Sequence, residues 1–391
     1  DRLKALIING HEPTKIELIV IGGTWSYLPK KYQYWYIATL FKAANDFPKK
    51  QEEYKKSLSL AALKEVLLKE QRKNEKAKYN IIGLTLETRP DYINGKELDE
   101  MRLFGCTRVE IGVQIIDDKI LKLNKRESTV DDIVRATKLL RDYGFKITYH
   151  LMPALPGATP EIDLERFTQL FTDARFQPDQ IKFYPTVVTK GSLLYRWWKA
   201  GKYKPYSEKA LKNLIVKCKE VVPEYVRIIR LIRDIPGESI IAGNKITNLR
   251  QVMQQEGVKC RCIRCRAAQE SKIKSPKLKV IEYQVSSGTE YFISFNSSDD
   301  QTLYGFCRLC LLDSGVAMVR ELHVYGELVS VGSEKKVQHA GLGKKLLEKA
   351  EKIAKKNKCV KIKVISGVGV RGYYRKLKYR LEGTYMVRKL K

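Results

Sequence analysis

Lys15-Ile16-Glu17-Leu18-Ile19-Val20-Ile21-Gly22-Gly23 is the stretch from which the fold can be read. Its apolar, β-branched run predicts a strand, and the two glycines close it with a backbone-exposing turn. Similar runs follow at 81–86, 108–113, 146–150 and 181–187. Between them lie segments of helical spacing, such as Val130, Ile133, Val134, Ala136, Leu139 and Leu140. Repeated strand–helix units build a parallel sheet covered by helices. In barrels of this kind the loops after the strand C-termini carry the chemistry. The pattern therefore gathers Gly22, Gly23, residues 87–91, Gln114 and residues 152–157 around one mouth. The same residue types also form ordinary turns.

From about Gly191 to Pro236 the chain reads as helical, aromatic and basic. Tyr195, Trp197, Trp198, Tyr203 and Tyr206 are interleaved with Arg196, Lys199, Lys202 and Lys204, and Arg227, Arg230 and Arg233 follow. Aromatics among bases suit stacking on unpaired nucleotides while phosphates are neutralised. Lys199, Lys202, Arg227, Arg230 and Arg233 are the nucleic-acid candidates. A helix packing its tryptophans on the barrel is the other reading.

Cys260, Cys262 and Cys265 have the spacing of a zinc site. Zinc takes a fourth ligand, for which Cys106 is the first candidate and a histidine the second. Residues 271–279 read as a linker. Beyond them come antiparallel-style strands at 290–296, 303–312 and 317–325, a long amphipathic helix and a final strand pair. The expected division is 1–240, 241–279 and 280–391.

A chain of 391 residues suits two domains and a connector. Its 74 basic against 44 acidic residues give a formal charge of +30, which points to a polyanion partner. A heat-adapted surface would carry a more balanced excess of Lys and Glu. No run of about 18 apolar residues occurs, so no membrane span is expected. Clustered cysteines in a large chain suggest a reducing, cytoplasmic home. The start at Asp1 reads as the cut or unseen front of a longer protein.

Gln338-His339-Ala340-Gly341-Leu342-Gly343 opens the long helix, whose apolar stripe is Leu342, Leu346, Leu347, Ala350, Ile353 and Ala354. Glycines at a helix N-terminus leave N–H groups free to hold a pyrophosphate. The strand Glu321, Leu322, His323, Val324, Tyr325 precedes it. Strand, Q-x-x-G-x-G and helix together resemble the GNAT acyl-CoA N-acetyltransferases. That resemblance implies pantetheine pairing along Glu321–Val324 and cofactor contacts from Gln338, Gly341, Leu342, Gly343, Tyr373 and Tyr374. Tyr374 is the expected general acid for the departing thiolate.

Residues 15–23, 84–91, 105–114, 150–156, 230–236, 259–266, 320–326, 338–343 and 365–369 resemble, in order, the Elongator catalytic subunit family. The resemblance implies an α/β fold. A partial TIM-like radical S-adenosylmethionine (SAM) barrel joins a GNAT-type α+β acetyl-CoA domain through a zinc-binding linker. It also implies a 4Fe–4S cluster that cleaves SAM, a radical taken to the acetyl-CoA methyl group, and attack on C5 of the wobble uridine. The product is a carboxymethyl group. tRNA is the implied partner, with other Elongator subunits where a complex exists. Gly22 and Gly23 would meet the methionine moiety of SAM, with Glu110 and Gln114 as further wall contacts. Lys15 would look toward the CoA or the tRNA. The cysteines that hold the cluster in this family stand in a C-x-x-C-bearing loop that precedes Asp1. Lys125-Arg126-Glu127-Ser128 and Lys378 also depart from the family pattern, the latter replacing a glycine. A lysine acetyltransferase and a tRNA-binding scaffold are the alternatives.

Overall fold

Strict alternation of polar and apolar residues in strands that helices cover on one side shapes the first half of the molecule. The computed structural model describes residues 1–49, 53–232, 235–245, 248–268, 275–325 and 341–390. The strands of this half are β1 (Lys15–Val20), β2 (Asn80–Thr88), β3 (Arg108–Gln114), β4 (Lys146–Leu151), β5 (Gln180–Phe183), β6 (Val188–Thr189), β7 (Arg227–Arg230) and β8 (Ile240–Ala242). Six of them pair in parallel in the order β1-β2-β3-β4-β5-β7, while β6 and β8 form a separate antiparallel ribbon. Leu84, Leu86, Val109, Ile111, Ile147, Tyr149 and Ile181 are buried in the core that the helices close. Each removes on the order of 1.5–3 kcal/mol of apolar surface from water. The opposite face is polar and lines the lumen of an open half-barrel.

Arg227–Arg230 corrects the expected reading of 191–236 as helical throughout: it is the sixth strand. Ile228 enters the core while its arginine neighbours sit on an edge strand, where charge is tolerated. The free edge of β7 is covered by the short helix Ile263–Arg266. Ile263 N donates to Val226 O at 2.9 Å and Arg250 Nη2 to Ile228 O at 2.9 Å.

The second half is a seven-stranded sheet in the order β14-β15-β13-β12-β11-β10-β9. Its strands are β9 (Lys277–Val285), β10 (Gly288–Asn296), β11 (Leu303–Leu312), β12 (Ala317–Val324), β13 (Lys361–Val364), β14 (Arg380–Glu382) and β15 (Tyr385–Lys389). β9 starts inside the expected linker, so residues 277–279 belong to this sheet. The helix Leu342–Lys356 packs over it, burying Leu342, Leu346, Leu347, Ala350 and Ala354. Its N-cap, Gly341, has φ 73°, a conformation that glycine adopts without a Cβ penalty.

The two halves meet through fully buried charge. Arg320 donates to Asp179 Oδ1 at 3.0 Å, to Glu290 Oε1 at 2.8 Å and to Phe145 O at 2.6 Å. Arg141 donates to Glu290 Oε2 at 3.1 Å, and Arg308 to Glu321 Oε2 at 3.1 Å. Asp179 also accepts from Ile147 N at 2.9 Å. The turn Val368–Val370 lies flat on β2. A Cβ on Gly367 would overlap the Ile82 carbonyl, and one on Gly369 would stand 2.6 Å from Asn80 Cβ. Among the described residues no helix is long and apolar enough to cross a membrane.

Candidate functional site: a polar lumen between two ligand ends

Residues two apart on a strand share a face. Thr85 and Glu87, Arg108 and Glu110, Thr148 and His150, and Gln180 and Lys182 therefore all project into the half-barrel and meet in two rungs. In the lower rung Arg108 binds Glu17 at 2.8 Å, Thr85 Oγ1 at 2.8 Å and Gln180 Oε1 at 3.4 Å. In the upper rung His150 Nε2 is 2.6 Å from Glu110 Oε2 and Nδ1 is 3.5 Å from Glu87 Oε1. Lys182 binds Glu110 from the far side. Burial alone would raise the Glu110 carboxyl, but His150 and Lys182 hold it below the usual range.

The upper rung opens on the mouth. Glu87 Oε2 accepts from Gly22 N at 2.9 Å, so the glycine turn after β1 is tied to β2. Gly22 has φ 115°, and a Cβ at Gly22 or Gly23 would meet nothing within 4 Å. The turn is thus an open cradle. Gln114 ends β3 with φ 65°, and its side-chain oxygen is buried without a hydrogen-bond partner. The loop after β4 is clamped at Ala154: its N donates to Asp163 at 2.8 Å and its O accepts from Tyr203 at 2.8 Å. Tyr206 donates to the same Asp163 carboxylate, whose pKa burial raises to about 6.

The lower end opens on the second sheet. β12 pairs with β13 only over Ala317–Val319, then runs on to Val324 without that neighbour. A bulge opposite Arg308 and Leu309 makes Arg320 the extra residue. A split strand of this kind offers backbone groups to an extended ligand. Leu322 and Val324 pack into the second core, while Glu321 turns to the barrel and lies 3.8 Å from Lys146. Burial opposes ionisation of Glu321, yet Lys146 and Arg308 keep its carboxyl below the usual range.

Of the sequence candidates, Gly22, Gly23, Glu110 and Gln114 come together at the mouth. Glu321, Leu322, His323, Val324, Gly341, Leu342 and Gly343 come together at the split strand. Gln338 and Arg233 lie outside the described residues. Lys15 is exposed at the start of β1, on the face of Glu17. Tyr374 is buried in the second core and burial pushes its hydroxyl well up. Tyr373 is half exposed instead, its hydroxyl 3.1 Å from where a Cβ on Gly343 would stand.

Arg227 is engaged inward, donating to Tyr325 Oη at 2.8 Å. Arg230, Lys199 and Lys202 are exposed. Cys260, Cys262 and Cys265 bring their sulfurs within 4.8 Å of one another, but Cys106 is not with them. It precedes β3, buried, with its Sγ on Arg108 O at 3.1 Å, and β4 and β5 separate β3 from β7. Glu87 falls in the stretch 87–91 expected at the mouth, whereas Arg108, His150 and Lys182 were not among the barrel-site candidates. The alternation in Arg108-Val109-Glu110-Ile111 and Lys146-Ile147-Thr148-Tyr149-His150 puts Arg108 and His150 on the polar face, but not which residues they meet there.

Fold and site define a class: a radical SAM half-barrel carrying a GNAT domain. The radical SAM superfamily profile matches residues 1–168, the radical SAM C-terminal domain residues 178–257, and the GNAT acetyltransferase family residues 262–379. The chain belongs to the tRNA uridine(34) acetyltransferase family, which includes the proteins named Elongator complex protein 3. It is 41% identical to the tRNA uridine(34) acetyltransferase of Dehalococcoides mccartyi, over 100% of this chain and 86% of that one. It is 38% identical to human Elongator complex protein 3, over 100% of this chain and 72% of the relative. The solved structure of Methanocaldococcus infernus Elp3 with an N-terminal deletion superposes with a TM-score of 0.88 at 39% identity, covering 100% of this chain and 93% of that one.

Radical SAM membership implies SAM and a 4Fe–4S cluster, and the GNAT half implies acetyl-CoA. The open glycine cradle and the orphaned Gln114 oxygen fit SAM at the mouth. No cysteine of this chain stands at that mouth to hold a cluster: Cys106 precedes β3, the trio lies along β7, and the others are buried elsewhere.

Proposed function

We propose that this chain carries the tRNA, SAM and acetyl-CoA sites of an enzyme that adds a carboxymethyl group at C5 of the wobble uridine of tRNA, with the cluster's cysteine ligands supplied by residues other than those of this chain, and that the chain hydrolyses acetyl-CoA when tRNA is bound. One observation carries the reading: paired polar side chains follow one face of the first sheet from the Gly22 turn, through Glu87, His150 and Glu110, to Lys146, which meets Glu321 of the split β12 strand. Bound SAM and its cluster supply one-electron chemistry; the chain's residues supply position. Gly22 and Gly23 admit a ligand close to backbone, Gln114 offers an acceptor, and Glu110 is fixed between His150 and Lys182. At the other end the unpaired edge of β12 orients a pantetheine arm, and the Leu342–Lys356 helix N-terminus faces its pyrophosphate. Product analysis tests the reading in protein that also carries the family's cluster-binding cysteine loop: carboxymethyluridine in tRNA incubated with acetyl-CoA and SAM supports it. Acetyl-lysine on a peptide, with unmodified tRNA, would favour the lysine acetyltransferase. The +30 charge repels basic peptide tails and favours tRNA.

Tyr373, not Tyr374, is the better general acid on this reading, because its hydroxyl stands over the glycine-led helix start. Tyr373→Phe is expected to lower acetyl-CoA turnover about 10²-fold. Tyr374→Phe should leave turnover within about threefold and act on stability, since its ring fills the core. Steady-state kinetics and urea unfolding on both variants separate the two.

Lys199, Lys202 and Arg230 are the phosphate contacts we favour. Changing all three to Ala should weaken tRNA binding by about tenfold or more and flatten its dependence on salt. Binding titrations at several salt concentrations check this; an unchanged slope removes these residues from the tRNA face. The cysteine trio is read as structural zinc. Thiolates about 3.8 Å apart suit tetrahedral zinc, and the described spread of the trio is compatible. Its role would be to fasten the chain between the domains to the edge of β7. A cytoplasmic setting suits eight free thiols.

A further inference from the structure

The floor of the lumen carries an imidazole placed for chemistry. His323 stands two residues beyond Glu321 on the unpaired stretch of β12 and shares its face toward the barrel. Its ring keeps free surface, yet Glu17 of β1, Lys146 of β4 and Arg227 of β7 all act on it electrostatically, with Glu321 beside it. Glu321, on the same face, lies 3.8 Å from Lys146, which puts this face of β12 against the half-barrel. The ring is also held in place. It stacks on Phe306 at 5.9 Å and packs against Tyr325 at 4.4 Å between centroids. The protein packed around it, with Arg227 and Lys146, outweighs Glu321 and lowers its pKa, so the ring is neutral at pH 7 and holds a free lone pair for a proton.

We propose that His323 is a catalytic base that takes a proton from the water attacking the acetyl-CoA thioester. This rests on the function proposed above and names the residue that would perform its hydrolytic step. The water oxygen bonds to the thioester carbonyl carbon, its proton passes to the imidazole, and the C–S bond breaks. The thiolate takes a proton from the Tyr373 hydroxyl, which the imidazolium restores through solvent. Acetate, free thiol and one proton leave, and nothing is oxidised or reduced. The backbone of β12 binds the pantetheine arm in this arrangement, so the side chain of His323 is free for the water.

The test follows thiol release from acetyl-CoA by the full chain, with and without tRNA. His323→Gln is expected to slow the tRNA-dependent release about 10²-fold while acetyl-CoA binding stays within about twofold, because β12 still presents its backbone. His323→Ala should recover activity with added imidazole. A wild type that releases thiol with tRNA, matched by an equally active His323→Gln, overturns the role of His323 alone. So does a loss that tracks weakened acetyl-CoA binding and resists imidazole. A wild type that releases no thiol removes the hydrolytic activity itself, and this role with it.

Discussion

Arg320→Leu is expected to destabilise the protein by about 3–5 kcal/mol, because removing one partner of a buried ion pair strands the others. Arg320 is fully buried and is the only side chain seen to touch both Asp179 and Glu290 among the described residues. Its loss leaves two carboxylates short of a partner and the Phe145 carbonyl short of a donor. Urea unfolding should show the lowered midpoint. The pH dependence has a definite sign. Burial opposes the charge on Asp179, but Arg320, Arg308 and Arg141 hold its carboxyl well below the usual range. A depressed carboxyl stabilises fully above its ordinary pKa and loses that contribution only as pH falls through the folded value. The penalty of Arg320→Leu should therefore be level from pH 6 to pH 9. A variant as stable as the wild type would mean that the junction relaxes to admit water.

Gly367→Ala comes second in size. The new methyl would overlap the Ile82 carbonyl oxygen, which is backbone within a sheet and cannot swing aside. The turn Val368–Val370 must then lift from β2, carrying Val368 out of the core around Gly105 and Phe41. Overpacking of this kind costs about 1–3 kcal/mol, and more where backbone must move. Hydrogen exchange gives the most direct check: amides of residues 80–84 and 366–370 should lose protection together. Unchanged exchange would show that the turn can shift without undocking.

The strands of the first half were legible because β-branched apolar runs are strong signals, and β1 to β4 fall close to their expected spans, while β5 ends at Phe183, short of the expected 187. β7 was not, since Arg-Ile-Ile-Arg is too short and too charged to declare itself without its neighbour β5. The glycine pair Gly22-Gly23 and the Gly341–Gly343 helix start could be found locally. Glu87 was placed at the mouth by its position after a strand, but its rung could not be read, because His150 and Lys182 are unremarkable in sequence and join Glu87 and Glu110 only when the strands align. Cys106 failed for the same reason: a cysteine count carries no information about which strand lies between. Tyr373 and Tyr374 adjoin in sequence but point to different environments, and only the packing of Tyr374 into the core separates them. Gly367 and Gly369 fall in the stretch 365–369 that carries the family resemblance, which gave them no role; their lack of a side chain serves the docking of one domain on the other.

The buried junction also bears on motion. Three guanidinium groups face three carboxylates there, from Arg141, Arg308, Arg320, Asp179, Glu290 and Glu321. Prising the halves apart would part Arg320 and Arg308 from Asp179 and Arg141 from Glu290, leaving buried charges without partners, so the junction acts as a lock that opposes separation of the two halves.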